Sequence, residues 1–205
     1  MLTDQHYVTI GAFIELRSNM GFEIPVETWR YLFGITTTAW DGLLRDARHK
    51  NQQFCPLAPH IAVTARWVAR HKQIQMPLAL PSATDLFSRL NTVLEHPLTK
   101  KVFGLSFGYD ATRGYDWLLL RSEPRRATKL AFAMIDHSSP ELLRKNWQQW
   151  HANAKLEARL RGIADLDMAP RWTAPLQRGP HHLSMAFQQL QFARPGKPNL
   201  ARQSL

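Results

Sequence analysis

Cysteine is almost absent. Cys55 is the only one in 205 residues, which excludes an intramolecular disulfide framework and any zinc site made from paired cysteines. Acidic side chains are also scarce, 16 against 26 basic ones, for a formal net charge of +10. An excess of that sign points to a polyanionic partner, nucleic acid first and a membrane surface second. Long apolar runs are missing: none approaches the ~18–20 residues that cross a bilayer. The opening MLTDQHYVTIGAFIEL lacks a basic n-region and carries Asp4 and Glu15. Neither a membrane span nor a targeting segment is expected, and the expected setting is a reducing cytoplasm. There is no glycine-rich phosphate loop, no GxSxG and no HExxH. Asp136, His137 and Ser138 are neighbours in sequence, whereas the members of a catalytic triad converge from separate segments. No enzymatic activity, cofactor, metal site or small-molecule substrate is expected.

What is present is globular. The chain is 44% hydrophobic and 20% charged, enough to bury a sizeable core in one ordinary domain or two small ones. The charge is uneven. Residues 1–50 carry a net −1, residues 51–100 and 101–150 each +3, and residues 151–205 +5. Local basic clusters stand at Arg45–Lys50, Arg66–Lys72 and Arg121–Lys129.

Helical periodicity dominates. Apolar residues recur at three- and four-residue intervals over Tyr7–Asn19, Val26–Phe33, Thr38–Arg48, Ile61–His71, Ala83–Leu94, Arg126–Ile135 and Glu141–Ile163. Ser82 is placed to N-cap its helix through the side-chain hydroxyl. A short element ends at Phe103–Gly104, a loop spans Ser106–Thr112, and Arg113–Leu120 is apolar enough to be buried on one side. Val102–Tyr109 and Trp117–Leu120 are the best strand candidates, but nothing pairs with them. The fold class expected is all-α.

The stretch VETWRYLFGITTTAWDGLLR, Val26–Arg45, has two short amphipathic segments around Gly34, which can take the positive φ of a tight turn. Trp29, Phe33, Ile35, Trp40 and Leu43 occupy the apolar register, and three threonines open the second segment. Phe33-Gly34-Ile35-Thr36 is echoed seventy residues later by Phe103-Gly104-Leu105-Ser106. Thr37, Trp40, Asp41, Leu43 and Leu44 are echoed seventy-five residues later by Thr112, Tyr115, Asp116, Leu118 and Leu119. The differing offsets place a five-residue insertion in the second turn. In this register Trp40 and Tyr115 are both core residues. The pattern resembles the helix-turn-helix of DNA-binding regulators, and the order of elements in each copy is similar to Cro/C1-type repressor units, here in tandem. Two departures are Arg30, where a small residue is usual, and Gly42 inside the second helix.

The resemblance implies a sequence-specific, double-stranded-DNA-binding transcriptional regulator of the kind common on bacterial plasmids and mobile elements. It nominates Thr36, Thr37, Thr38, Asp41, Arg45, Ser106, Thr112, Arg113 and Asp116 for base edges. For phosphates it nominates Arg48, Lys50, Lys100, Lys101, Arg121, Arg125, Arg126 and Lys129. Arg45 and Arg113 are the candidates for bidentate reading of guanine. Lys100–Lys129, with seven basic and three acidic side chains, is expected to dominate affinity. The domains expected are residues 1–76, the first unit; 77–137, the second; 138–165, a C-terminal helix; and 166–205, a disordered basic tail. Trp147 and Trp150 stripe the C-terminal helix, as core or as the seam of a homodimer through residues 141–163. A different class of function remains open beside the regulator: a helical adaptor or nucleoprotein-assembly subunit with a basic protein- or RNA-binding surface.

Overall fold

The computed structural model describes residue 2 and residues 4–20, 24–71 and 80–173. Among these the structure is all-helical. The helices are α1 (Ile10–Asn19), α2 (Val26–Phe33), α3 (Thr37–Arg48), α4 (Pro59–Arg70), α5 (Ala83–Val93), α6 (Lys100–Ser106), α7 (Ala111–Leu118), α8 (Arg126–Ile135) and α9 (Pro140–Leu160), with a 3-10 turn at Gln52–Phe54. The only β feature among the described residues is one isolated bridge, Thr9 with Pro56. Neither strand candidate is extended: Val102–Ser106 lie in α6, Trp117 and Leu118 in α7, and the other residues of both in turns or bends.

Local chemistry starts most of these helices. Side-chain oxygens of Thr9, Thr36, Ser82, Thr99, Asp110 and Ser139 accept the amide hydrogens of Ala12, Ala39, Asp85, Val102, Arg113 and Leu142. Each cap is worth about 1 kcal/mol. Gly34 closes α2 in the left-handed region at φ 65°, which a residue with a Cβ enters only at a cost.

Two apolar clusters form. Phe13, Trp29, Phe33 and Trp40 centre the first, on α1–α4, and Phe103, Phe107, Trp117, Phe132, Trp147 and Trp150 centre the second, on α5–α9. Helix α4 is the wall between them. Ala62, Ala65 and Val68 face the first cluster, Val63 and Trp67 the second, so all seven residues from Ala62 to Val68 are buried. The expected boundaries at residues 76 and 137 therefore do not separate independent cores. The described residues form one compact unit, and α9 is part of the second core instead of a domain of its own. Its stripe is consumed there: Leu143, Trp147, Trp150, Ala154 and Ala158 are buried within the chain, which removes the apolar seam expected for a homodimer through residues 141–163.

The two clusters repeat one another with a constant offset of 74 residues. Phe13 and Phe87, Leu16 and Leu90, Trp29 and Phe103, Phe33 and Phe107, Gly34 and Gly108 correspond. Phe13 lies 5.4 Å from Trp29 and Phe87 lies 5.4 Å from Phe103; Trp29–Phe33 and Phe103–Phe107 are 4.8 and 5.1 Å apart. Thr36 and Asp110 then cap α3 and α7. The second turn needs no insertion, because its glycine is Gly108 (φ 81°), not Gly104. Gly104 lies inside α6, against Gly114 of α7. In this register Gly114 stands opposite Trp40 and Trp117, 4% exposed, opposite Leu43, while Tyr115 is 44% exposed instead of buried.

The segment after α9 is a strap, contrary to the disorder expected from residue 166 onward. Leu166 is buried, the Trp172 indole N–H donates to the Leu105 carbonyl at 3.0 Å, and the Ala111 N–H donates to the Pro170 carbonyl. The remainder of the expected tail, 174–205, lies outside the described residues.

Candidate nucleic-acid interface

Helix α3 presents the first set of expected base readers. Thr36 is spent as its N-cap, accepting from the Ala39 N–H at 3.2 Å. Thr37 accepts a hydrogen bond from the Arg30 guanidinium, which also donates to the Ile35 carbonyl. The misfit Arg30 is thus a clip that ties the end of α2 to the start of α3. Thr38, Asp41, Arg45 and Arg48 are exposed, as is Lys50 just beyond the helix. Asp41, Arg45 and Arg48 border one open groove of about 520 Å³ with Leu44 and His49. Their spacing of four and three residues puts them on one face, while Trp40 anchors the other in the core at 4% exposure. Arg45 keeps 75% of its side chain exposed and lies 3.9 Å from Asp46, a surface pair that holds it only weakly.

Helix α7 presents less. Thr112 is exposed and its hydroxyl donates to the capping Asp110 carboxylate at 2.7 Å. Arg113 is half exposed, 4.0 Å from Asp116. Ser106 is a correction: it is fully buried near the end of α6, donates to the Val102 carbonyl at 2.7 Å and sits 2.8 Å from His151 Nδ1, so it reads no base. Lys129 is paired with Glu123 at 2.8 Å, and Lys100 and Lys101 are half-buried. Arg121, Arg125 and Arg126 are exposed. Tyr115 on α7 and Leu119 in the turn after it are each 44% exposed, and Leu120 in the same turn 82%.

Arg125 and Arg126 do not stand with α7. They open α8 against the α2–α3 turn, where the Arg126 guanidinium lies 4.4 Å over the Tyr31 ring. A Cβ on Gly34 would lie 2.7 Å from the Ala127 Cβ. Between these elements is a cleft of about 490 Å³ reached by Arg30, Arg125, Arg126, Glu27, Tyr31, Thr36 and His60. His60 stacks on Tyr109 at 5.2 Å. Its pKa is pushed down to about 4, first by burial and then by the Arg125 charge, so it is neutral at physiological pH. Arg30, Tyr31 and His60 escaped the sequence reading. Arg30 alone carried a signal, as the residue that did not fit the turn.

One constellation has the outline of a triad. His151 Nδ1 meets Ser106 Oγ, and His151 Nε2 is 3.2 Å from Asp167 Oδ1 without forming an aligned hydrogen bond. Lys155 holds the other oxygen of Asp167 at 2.6 Å. Burial lowers the His151 pKa, partly offset by Asp167. With Ser106 sealed from solvent, this group pins the strap to α6 and α9.

No helix among the described residues is long and apolar enough to cross a membrane. No protein-family model, no curated protein and no solved structure matches this chain.

Proposed function

We propose that this chain is a sequence-specific double-stranded-DNA-binding transcriptional regulator whose reading helix is α3. The observation that carries the proposal is the two-sidedness of α3. One face is locked into the core through Trp40, and the other offers Thr38, Asp41, Arg45 and Arg48 to solvent. Its start is clipped to α2 by Arg30. A helix held this firmly can lay fixed side chains along a major groove. Arg45 is the base reader, and Arg48 and Lys50 are phosphate contacts.

Selection from random duplexes, followed by titration at several salt concentrations, tests this. Arg45→Ala is expected to relax the selected motif at one position, at about 1–3 kcal/mol. Arg48→Ala is expected to weaken all duplexes alike and to lower the salt slope by about 1. Retention of both motif and affinity in Arg45→Ala and Arg113→Ala would end the assignment of base readers.

The adaptor reading has its own support at the end of α7 and in the turn after it, where Tyr115, Leu119 and Leu120 are exposed and suit a protein better than DNA. Binding that vanishes with salt and selects no motif favours it.

A further inference from the structure

The cleft beside the α2–α3 turn has the size of a ligand site, about 490 Å³, within the ~300–1,000 Å³ usual for such sites. Its charge is one-sided. Three guanidiniums, Arg30, Arg125 and Arg126, face a single carboxylate, Glu27. Two of the three are already held in place: Arg30 by the Ile35 carbonyl and Thr37, and Arg126 by the Tyr31 ring. Arg125 has no carboxylate within ion-pair distance among the described residues. His60, neutral in this setting, adds a ring to the floor without adding charge. Guanidiniums fixed in place before binding lose little freedom on meeting a tetrahedral oxyanion, and their planar forks match its oxygens. The backbone adds to this, since no side chain caps the first amides of α8, which favours an anion there.

We propose that this cleft binds a phosphate group, with Arg125 and Arg126 as its principal ligands and Arg30 behind them. The phosphate has two sources, the DNA backbone or a free phosphate compound. Only the first rests on the reading of α3 as a DNA-binding helix. In that case Thr36, at the start of α3, lies on the same cleft, and the second half of the fold clamps the strand that the first half reads.

Calorimetric titration of the full chain with inorganic pyrophosphate tests the site. Saturable binding is expected, weakened about tenfold or more in Arg125→Glu, the scale of one lost charge-assisted hydrogen bond. This variant leaves the Arg126–Tyr31 contact in place, so an unchanged unfolding midpoint verifies its fold. Arg144→Gln, on α9 and outside the cleft, is expected to bind pyrophosphate as the parent does. Absence of binding, or equal affinity in the parent and Arg125→Glu, overturns the proposal. Competition with a random duplex separates the sources. Displacement of pyrophosphate, with a salt slope lower by about 1 in Arg125→Glu, assigns the site to DNA; undisturbed pyrophosphate on the DNA-bound protein assigns it to a free compound. Duplex binding insensitive to Arg45→Ala and Arg48→Ala would defeat the α3 reading and leave the cleft standing.

Discussion

The Glu157 carboxylate accepts a hydrogen bond from the Arg66 guanidinium at 2.7 Å, across 91 residues of sequence, and neither side chain is more than 3% exposed. The same carboxylate accepts from Arg161 at 2.7 and 2.8 Å and from the Val8 N–H at 3.2 Å, while Arg161 also reaches the Leu57 carbonyl. One buried anion thus ties α9 to α4 and to the segment before α1. Glu157→Ala is expected to lower stability by about 3–5 kcal/mol, because buried Arg161 loses its counter-charge and buried Arg66 keeps only the exposed Asp4 carboxylate at 3.8 Å. Urea unfolding followed by circular dichroism measures it, and a loss under about 1 kcal/mol would show that the clamp is dispensable.

Two glycines are expected to respond with opposite signs to the same substitution. Around Gly42, in α3, an added Cβ meets only the tip of the Arg45 side chain at 4.0 Å, so Gly42→Ala is expected to stabilise by about 0.5–1 kcal/mol. At Gly114 an added Cβ would lie 1.7 Å from the Lys100 carbonyl oxygen. Backbone cannot yield there as a flexible side chain does, so Gly114→Ala is expected to unfold or severely weaken the α6–α7 pair. Thermal unfolding of both variants checks the contrast.

Acid should weaken the fold before carboxylates titrate. His60 has a folded pKa of about 4 against about 6.5 in an unfolded chain. As pH falls below 6.5 the unfolded state takes up a proton that the folded state refuses, so stability is lost between pH 6.5 and 4. His151, lowered mainly by burial, acts in the same direction. A fall on the order of 2 kcal/mol is expected between pH 7 and pH 5. His60→Gln should flatten part of it, as urea midpoints at the two pH values would reveal; identical slopes in parent and variant would mean that His60 titrates normally.

Removing the Ser106 hydroxyl separates a structural role from a DNA-reading one. Ser106→Ala leaves His151 Nδ1 without its partner on α6 and is expected to cost about 1–3 kcal/mol of stability. Duplex affinity and the selected motif should stay unchanged. A changed motif would return Ser106 to the list of base readers.

The misplaced second turn and the misplaced Ser106 and Tyr115 have one origin. The seventy-residue echo matched Phe103-Gly104 to Phe33-Gly34 by letter, but a second Phe-Gly pair, Phe107-Gly108, sits four residues on. Four residues is about one helical turn, so both registers present similar apolar faces. Only the packing of Phe87, Phe103 and Phe107 distinguishes them, and with that choice the placement of Ser106 and Tyr115 moved as well. The expected readers on α3 fared better, because helix periodicity around a buried Trp40 leaves Thr38, Asp41, Arg45 and Arg48 nowhere but outside.

Apolar periodicity and capping residues by themselves determined the helical class, the approximate limits of most helices and the exposed face of α3, since these depend on neighbours within a few residues. Tertiary structure alone decided that α4 serves two cores, that Glu157 gathers three distant segments, and that Arg125 and Arg126 face the α2–α3 turn instead of α7. Such relations join residues far apart in the chain, and only simultaneous packing of all the helices settles which side of each helix meets which neighbour.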